Sequence, residues 1–158
     1  QASPSRLDKV DRRILHLEQR EGALSVAEVA ARTGLSTTTC WRRIQALEQS
    51  GVIKGRVALL DRAALGLDVT IFAHVKLSSQ GRDAIAAFAE AIRERPEVLD
   101  CYTTMGEWDF MLRVVTRDIK AYEAFYLDHL SKLPNVQSIN SSVTVTVIKE
   151  TTILPIAL

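Results

Sequence analysis

Apolar residues recur with a helical period over the first third of the chain. Leu7, Val10, Ile14 and Leu17 share one face, which predicts an amphipathic helix from residue 8 to about residue 20. Two shorter helices follow, separated by a three-residue turn, at the spacing of a DNA-binding helix-turn-helix. Because each helix must hide its apolar side, the three helices are expected to close one small core.

The two shorter helices carry start and stop signals. Ser25, with Glu28 three residues later, forms a capping box that predicts a helix beginning there. Gly34 can adopt the left-handed conformation that ends a helix. Ser36 then offers a hydroxyl group to cap the next helix.

That next helix, residues 36–48, is the predicted recognition helix. Its apolar face carries Cys40, Ile44 and Leu47, and its other side carries hydroxyl groups and arginines. This pattern suits a helix whose first turns enter the major groove of DNA. The predicted DNA-binding residues are Ser25, Ser36, Thr37, Thr38, Thr39, Trp41, Arg42, Arg43, Gln45, Lys54 and Arg56. The alternative is an inert helical hairpin, because short helices with a glycine turn also occur in bundles that bind no DNA.

A segment with strand character, residues 52–60, follows the recognition helix and carries Lys54 and Arg56. It is either a wing that contacts DNA phosphates or a linker strand, and the sequence does not choose between them. The predicted division places a DNA-binding domain with its linker strand in residues 1–62. A second domain occupies residues 63–158.

The period of the apolar residues changes in this second domain. Alternating or near-continuous apolar runs predict strands, and helical spacing predicts helices between them. The predicted elements, in chain order, are a strand at 69–77, a helix at 83–95, strands at 98–104 and 108–116, a helix at 118–133 and a strand at 136–149. The order β-α-β-β-α-β is the split βαβ or ferredoxin-like arrangement. The predicted fold class is therefore α+β, a winged helix-turn-helix followed by an αβ-sandwich.

Both helices of such a domain lie on one face of its sheet. The other face is expected to receive Thr144, Thr146 and Ile148 from the last strand, and apolar residues from the third. A bare face of this kind is commonly covered by a second copy of the chain, so we expect a homodimer.

Composition narrows the class of protein further. Hydrophobic residues make up 47% of the 158 residues and charged residues 25%, as in ordinary globular proteins. No apolar run is long enough for a transmembrane helix, and the opening residues 1–6 lack both Met and a signal-peptide core. We interpret residues 1–6 as a trimmed tail, and we expect a cytoplasmic protein with no membrane partner. Cys40 and Cys101 lack metal-ligand spacing, so we expect buried free thiols and no metal site.

The charge is distributed unevenly, although the net charge is only +1. Residues 1–62 hold eleven Lys and Arg against seven acidic residues, a net charge of +4, and residues 63–158 carry −3. A basic front joined to an acidic back fits a module that binds double-stranded DNA, tied to a second module.

Several separated stretches match one known family in the right order. They are residues 7–15, Gly34-Leu35-Ser36 with Cys40 and Arg43, residues 47–53, residues 106–112 and residues 149–155. On these stretches the chain resembles the leucine-responsive/asparagine-responsive (Lrp/AsnC) regulators from about residue 7 to 156. The resemblance implies a regulator of amino-acid metabolism genes that dimerises through its sheets, often forms tetramers or octamers, and uses a small amino acid as effector and no cofactor. Many members have Ser-Pro-Thr-Pro or Ser-Pro-Ser-Pro where this chain has Ser36-Thr-Thr-Thr39, so no particular base preference carries over.

The family's effector site lies between subunits, near the turn that joins the second and third strands of the sheet. A glycine turn can direct backbone N–H groups at the effector's carboxylate, and Glu107 or Asp109 could accept its ammonium group. Met105 and Trp108 could line an apolar slot. The predicted effector-binding residues are Thr103, Thr104, Met105, Gly106, Glu107, Trp108 and Asp109. Spacing alone favours a plain hairpin turn, with Asp109 as a local acceptor and Trp108 packed, and it is the resemblance that favours the effector site.

Two other functions remain as alternatives. A catalytic site would need His74 or His129 to act with Glu107 or Asp109, but lone histidines are more often structural, and no phosphate loop, nucleophile elbow or metal spacing is present. We therefore predict no enzyme and no catalytic residue. An architectural DNA-binding protein, whose back domain serves only oligomerisation and which responds to no effector, is kept as the alternative.

Overall fold

A computed structural model describes residues 7–79 and 81–158, so the N-terminal residues 1–6, interpreted above as trimmed, lie outside the described residues. The chain forms two compact units. The first, here called the helical unit, runs up to Leu59 and also takes in Lys149–Leu158. The second, here called the sheet unit, spans Leu60–Ile148. The predicted division at residue 62 differs from these units, because the C-terminal ten residues pack with the front of the chain.

The helical unit contains three helices: α1 (Lys9–Glu18), α2 (Val26–Thr33) and α3 (Thr37–Gln49). One apolar cluster holds them together, as the helical periodicity predicts. Its buried members are Ile14, Leu15, Val29, Ala30, Cys40, Ile44 and Leu47.

Each helix of this unit begins at a side-chain cap. Asp8 and Asp11 form a capping box at α1, and Ser25 and Glu28 form the predicted one at α2. Ser36 accepts a hydrogen bond from the backbone N–H of Thr39 at the start of α3. These bonds satisfy backbone N–H groups that a helix N-terminus otherwise leaves without partners.

The strand predicted at residues 52–60 does not form. Ile53 donates its N–H to the carbonyl of Leu47, which closes the end of α3, and the chain then continues without regular structure. A strand needs a neighbour with which to exchange backbone hydrogen bonds, and none pairs with this segment within the described chain. Val57 and Leu59 are consequently exposed.

The sheet unit has the predicted β-α-β-β-α-β order, which confirms the predicted fold class. Its sheet is antiparallel throughout, with strand order β2-β3-β1-β4. The elements are β1 (Val69–Leu77), α4 (Arg82–Arg93), β2 (Val98–Thr103), β3 (Phe110–Thr116), α5 (Ile119–Asp128) and β4 (Val136–Val143). The helix predicted at 118–133 ends at Asp128, and a short 3-10 turn, Leu130–Lys132, follows it.

Both helices of this unit pack on one face of the sheet. The rings of Phe88 in α4 and Phe110 in β3 stack with centroids 4.3 Å apart in the middle of this core. The opposite face, here called the bare face, carries the alternate residues of the strands, which no helix of this unit covers. It presents Phe72, His74, Lys76, Asp100, Tyr102, Met111, Arg113, Val115, Ser138, Asn140 and Ser142.

The last strand is shorter than predicted. β4 ends at Val143, which pairs with Ile71, and Thr144 makes one more backbone bond to the carbonyl of Thr70. The neighbouring strand β1 begins at Val69, so the chain beyond Thr144 outruns its partner. Thr146 and Ile148 therefore do not extend the bare face as predicted, and β4 contributes two serines and an asparagine, followed by Thr144 beside Thr70.

The two cysteines differ in burial. Cys40 is fully buried in the helical core, as predicted, and burial raises the pKa of its thiol. The prediction of a buried thiol at Cys101 is wrong, because this residue lies on β2, at the edge of the sheet, and is exposed.

Candidate DNA-binding surface and effector site

The exposed side of α3 combines hydroxyl groups, an indole ring and one cation. Thr37, Thr38 and Arg42 are exposed, and the Trp41 side chain is 53% exposed. Cys40, Ile44 and Leu47 hold the opposite side of the helix in the core. The first turn of α3 contains no acidic residue, so its N-terminus presents a positive dipole end to an approaching phosphate.

The two adjacent arginines of α3 are in different states. Arg43 donates to Asp8 at 2.7 Å and to Asp11 at 2.8 Å, so its charge is neutralised by the first turn of α1. These bonds raise the pKa of the Arg43 guanidinium. The backbone N–H of Asp11 and the guanidinium of Arg43 together lower the pKa of Asp8. Arg42 forms no ion pair with any described residue and is left to solvent.

Arg56 is also neutralised within the helical unit. Its guanidinium contacts Glu18 at 3.0 Å and Glu48 at 2.6 Å, and both bonds raise its pKa. Gln45 donates to the other oxygen of Glu48 at 3.1 Å. The predicted contacts of Arg43, Gln45 and Arg56 with DNA therefore compete with bonds inside the protein, whereas Lys54 is exposed.

The predicted serines act as helix caps. Ser25 Oγ accepts from the N–H of Glu28, and the Glu28 carboxylate accepts from the Ser25 N–H, which lowers the pKa of Glu28. Ser36 Oγ accepts from the N–H of Thr39 and donates to its hydroxyl at 2.9 Å. The structure therefore groups Thr37, Thr38, Trp41 and Arg42 on one exposed surface of α3, and gives the serines a structural role at helix ends.

The predicted effector stretch connects β2 to β3 as a tight turn. Thr103 ends β2, and Thr104 closes the turn by two bonds, from its N–H to the carbonyl of Asp109 at 2.9 Å and from its hydroxyl to the carbonyl of Trp108 at 2.6 Å. Gly106 has a φ of +125°, which only glycine adopts readily. The Met105 side chain is 99% exposed at the tip.

Asp109 fastens this turn to β1. Its carboxylate accepts the backbone N–H of Leu77 at 2.7 Å, and its own N–H donates to the carbonyl of Val75 at 2.9 Å. Glu107, in contrast, is fully on the surface of the turn. Sequence reasoning missed the bond to Leu77, because nothing in the local pattern places a residue 32 positions away beside Asp109.

Trp108 lies beside a residue of the bare face. Its ring is 6.1 Å from that of His74, centroid to centroid. His129 lies on a different element, at the end of α5, where its ring is 5.9 Å from that of Phe125. The two histidines considered as catalytic groups are thus engaged with aromatic neighbours on separate elements.

The described part of the chain contains neither a group of metal ligands nor a membrane-spanning helix. Among residues 7–79 and 81–158 no three His, Cys, Asp or Glu side chains are grouped so that they could hold a metal ion. Within the same ranges, no helix has the length and apolar character needed to cross a membrane.

Comparison with protein families finds one match in the front of the chain and one in the back, and the second runs on into the C-terminal segment of the helical unit. Residues 7–54 match the winged helix-turn-helix DNA-binding family, and residues 70–154 match the Lrp/AsnC ligand binding domain. A helix-turn-helix followed by a ligand-binding domain defines the class of DNA-binding transcriptional regulators. The chain belongs to the Lrp/AsnC family of that class.

Individual relatives match over nearly the whole chain. The DNA-binding transcriptional activator DecR of Escherichia coli is 38% identical over 150 residues, which is 95% of this chain and 99% of DecR. The glutamate uptake regulatory protein of Zymomonas mobilis is 34% identical over 96% of this chain and 92% of its own length.

Solved structures show the same fold. A transcriptional regulator of Neisseria meningitidis in complex with L-Met is 37% identical, with a TM-score of 0.90 over 94% of this chain and 96% of that one. An AsnC family regulator of Agrobacterium tumefaciens is 42% identical, with a TM-score of 0.90 over 94% and 97% of the two chains.

Proposed function

We propose that the chain regulates amino-acid metabolism genes by placing α3 in the major groove, with Arg42 as its principal cationic contact. The observation that carries this assignment is the contrast between the two arginines: Arg43 is held by Asp8 and Asp11, and Arg42 is exposed without an ion pair among the described residues. Thr37, Thr38 and Trp41 supply the neighbouring hydroxyl and apolar contacts that base edges and thymine methyl groups accept.

Two arginine substitutions test this assignment against its matched control. Arg42→Ala should weaken binding to every duplex and reduce the salt dependence by about one phosphate contact, a slope change of about 0.9, or else change the preference between operators. Arg43→Ala should lower stability, since Asp8 and Asp11 lose their partner, and should leave the salt slope unchanged. Titrations of labelled promoter DNA at several salt concentrations measure both. Wild-type behaviour of Arg42→Ala on all duplexes would contradict the assignment.

A small amino acid is the proposed effector, bound at the β2–β3 turn. The ligand-binding family match covers this turn, and the Neisseria relative was solved with L-Met. In the proposed arrangement N–H groups around Gly106 receive the effector's carboxylate, Met105 and Trp108 border its side chain, and Glu107 accepts its ammonium group. Asp109 positions the turn through its bond to Leu77, which refines the predicted role of this carboxylate.

Binding of the effector is tested first by a thermal-shift screen of the twenty amino acids. A ligand present at about 100 times its Kd adds about 2.7 kcal/mol to stability, so a true effector raises the melting temperature. Glu107→Gln should remove this rise, because it removes the acceptor charge and no structural bond of the turn. Asp109→Asn, which keeps an oxygen for the Leu77 N–H, should retain much of it. If Asp109→Asn alone loses the rise in melting temperature, Asp109 and not Glu107 contacts the ammonium group of the effector.

The bare face is the proposed homodimer interface, from which tetramers or octamers could assemble. Phe72, His74, Tyr102 and Met111 lie on it, and the helices of the unit cover only the opposite face. Such apolar and aromatic groups are usually covered by another surface. Sedimentation should show a dimer or larger species for the wild type. Phe72→Glu should shift it to a monomer that keeps its circular dichroism spectrum.

An architectural DNA-binding role, without an effector, is the alternative. A regulator protects discrete operator sites in footprinting, whereas an architectural protein covers DNA with little preference. No catalysis, cofactor or membrane partner is needed in either case. Because both roles require chromosomal DNA, the cytoplasm is the proposed location.

A further inference from the structure

The C-terminal segment Lys149–Leu158, here called the tail, belongs to the helical unit although it follows the last strand of the sheet unit. The chain therefore passes between the two units twice, once after Leu59 and once after Ile148. The family match to the ligand-binding domain runs on to residue 154, so the family division does not reveal this assignment.

Gln19, the residue that ends α1, holds the tail by both ends of its side-chain amide. Its Nε2 donates to the carbonyl of Leu154 at 3.1 Å, and its Oε1 accepts the N–H of Leu154 at 2.8 Å. A primary amide offers both a donor and an acceptor, so it pairs with the backbone of a single residue as a neighbouring strand would. These two hydrogen bonds fix both the position and the direction of the tail.

Two further contacts hold the tail beyond Leu154. The guanidinium of Arg12 donates to the carbonyl of Ala157 at 2.9 Å. The N–H of Ile156 donates to the carbonyl of Leu154 at 2.9 Å, and this tight turn directs Ile156 toward the helical core, against which it packs. Ile156 alone in the tail is partly buried, whereas the Leu154 side chain is 69% exposed.

The anchors of the tail lie on the helix that also supports α3. Arg12 lies in α1 and Gln19 is its C-cap, and Asp8 and Asp11 at the N-terminus of the same helix hold Arg43 of α3. The tail and α3 are therefore both fastened to α1 and its caps.

We propose that the tail is a second tether that transmits the effector response from the sheet unit to the DNA-binding helices, with Gln19 as its positioning residue. This inference rests on the proposed effector function. Under it, effector binding at the β2–β3 turn shifts β1 through the bond between Asp109 and Leu77, and β4 follows because it pairs with β1 from Val136 to Val143. The tail, which follows β4, carries the change to α1, and α1 changes the presentation of α3. Release of the tail from Gln19 leaves DNA binding in place and removes its regulation.

The test compares Gln19→Ala with Leu154→Ala in the full chain. Gln19→Ala removes both bonds, whereas Leu154→Ala keeps them, because they involve only the backbone of Leu154. Hydrogen exchange of the tail amides reports docking, melting temperature reports folding, and titration of promoter duplex with and without a mixture of the twenty amino acids reports the response. Gln19→Glu, which keeps only the acceptor, should give an intermediate result.

Allosteric coupling commonly changes an affinity by about 5- to 150-fold. We therefore expect the amino-acid mixture to change the DNA affinity of the wild type and of Leu154→Ala by a factor of this size, and that of Gln19→Ala by less than about threefold. Tail amides should exchange faster in Gln19→Ala, while its affinity without amino acids stays within about twofold of wild type.

A full response in Gln19→Ala, or unchanged exchange of its tail amides, overturns the tether and leaves the effector function intact. A wild-type protein whose affinity no amino acid changes overturns the effector function, and the tether with it.

Discussion

The helical unit and the sheet unit differ in what fixes the ends of their helices and strands. Each helix of the first begins at a cap whose partners lie within three residues, such as Ser25 with Glu28. The second is held by bonds between distant residues, up to the 74 positions that separate Thr70 and Thr144. Helix starts are therefore fully encoded in a short window, whereas strand ends depend on where another strand begins.

The same contrast applies to the two candidate sites. The exposed side of α3 follows from helical periodicity, because burying Cys40, Ile44 and Leu47 leaves the other positions exposed. The β2–β3 turn is held instead by the bond from Leu77 to Asp109, which only the folded sheet brings together. We expect substitutions in the sheet unit to be felt over long distances and substitutions at the caps to remain local.

The largest expected effect comes from the core of the sheet unit. Phe88 is fully buried and stacked on Phe110, so Phe88→Ala should cost about 3–5 kcal/mol of unfolding free energy. The chain has two tryptophans, Trp41 in the helical unit and Trp108 in the sheet unit, so single-tryptophan variants report each unit in urea denaturation.

The midpoint reported by Trp108 should fall strongly in Phe88→Ala. Leu127→Ala, at a residue 54% exposed on α5, serves as the control and should change stability by less than about 0.5 kcal/mol. An equal fall reported by Trp41 would show that the two units unfold as one and would break the contrast between them.

Much of the fold could be predicted from sequence, because periodicity and caps are local. The three helices of the front and the order of the sheet elements required no long-range information. Residues 52–60 and the end of β4 could not be placed, because both are chemically suited to strands and lack only a neighbour. Intrinsic preference for β structure predicts an ability to pair, and the partner decides whether pairing occurs.

The candidate sites were predictable to a similar degree. Arg42 and Arg43 look equivalent in sequence, and Asp8, 35 positions before Arg43, is what separates them. The cap bonds of Ser25 and Ser36 were predicted, but their consequence, that these hydroxyls are already engaged, was not. Gln19 carried no signal at all, because its partner lies 135 positions away.

A glycine of the sheet unit should give the next largest effect. Gly106 has a φ of +125°, so Gly106→Ala should cost about 1–3 kcal/mol through backbone strain. Gly81, with a φ of −65° at the N-cap of α4, is the matched control, and Gly81→Ala should cost less than about 1 kcal/mol, because it loses only the N-cap preference for glycine. Urea denaturation followed at Trp108 measures both. Equal costs for the two variants would mean that the turn relaxes around an added side chain.

A cap of the helical unit should have a smaller and more local effect. Ser36→Ala removes the bond to the Thr39 N–H and should cost about 1 kcal/mol, reported by Trp41. Ser36→Asp keeps a capping oxygen and should retain stability, yet its negative charge beside the proposed DNA contact should weaken binding to DNA. Duplex titrations separate the two variants. Undiminished DNA affinity of a folded Ser36→Asp protein would place the N-terminus of α3 away from phosphate.

The smallest expected effect is the loss of stability of the helical unit at low pH, which depends on the carboxyl groups at its helix caps. The pKa of Asp8 is lowered from 3.8, mainly by the Asp11 N–H and then by Arg43, and that of Glu28 is lowered from 4.5 by the N–H and hydroxyl of Ser25. A carboxyl group whose pKa is lowered in the folded state stabilises the protein at pH values above its unfolded-state pKa. That contribution is lost as the pH falls below the ordinary pKa values and through the lowered folded-state ones.

The helical unit should therefore lose stability on acidification below that range, as reported by Trp41. Asp8→Asn with Glu28→Gln keeps oxygens for capping and removes both titrations, so its unfolding midpoint should vary less with pH between about 5 and 2. Because both substitutions leave the sheet unit untouched, the profile reported by Trp108 should match that of the wild type. If the Trp41 profile of the double variant follows the wild type throughout, the acid sensitivity of the helical unit arises from groups other than its caps.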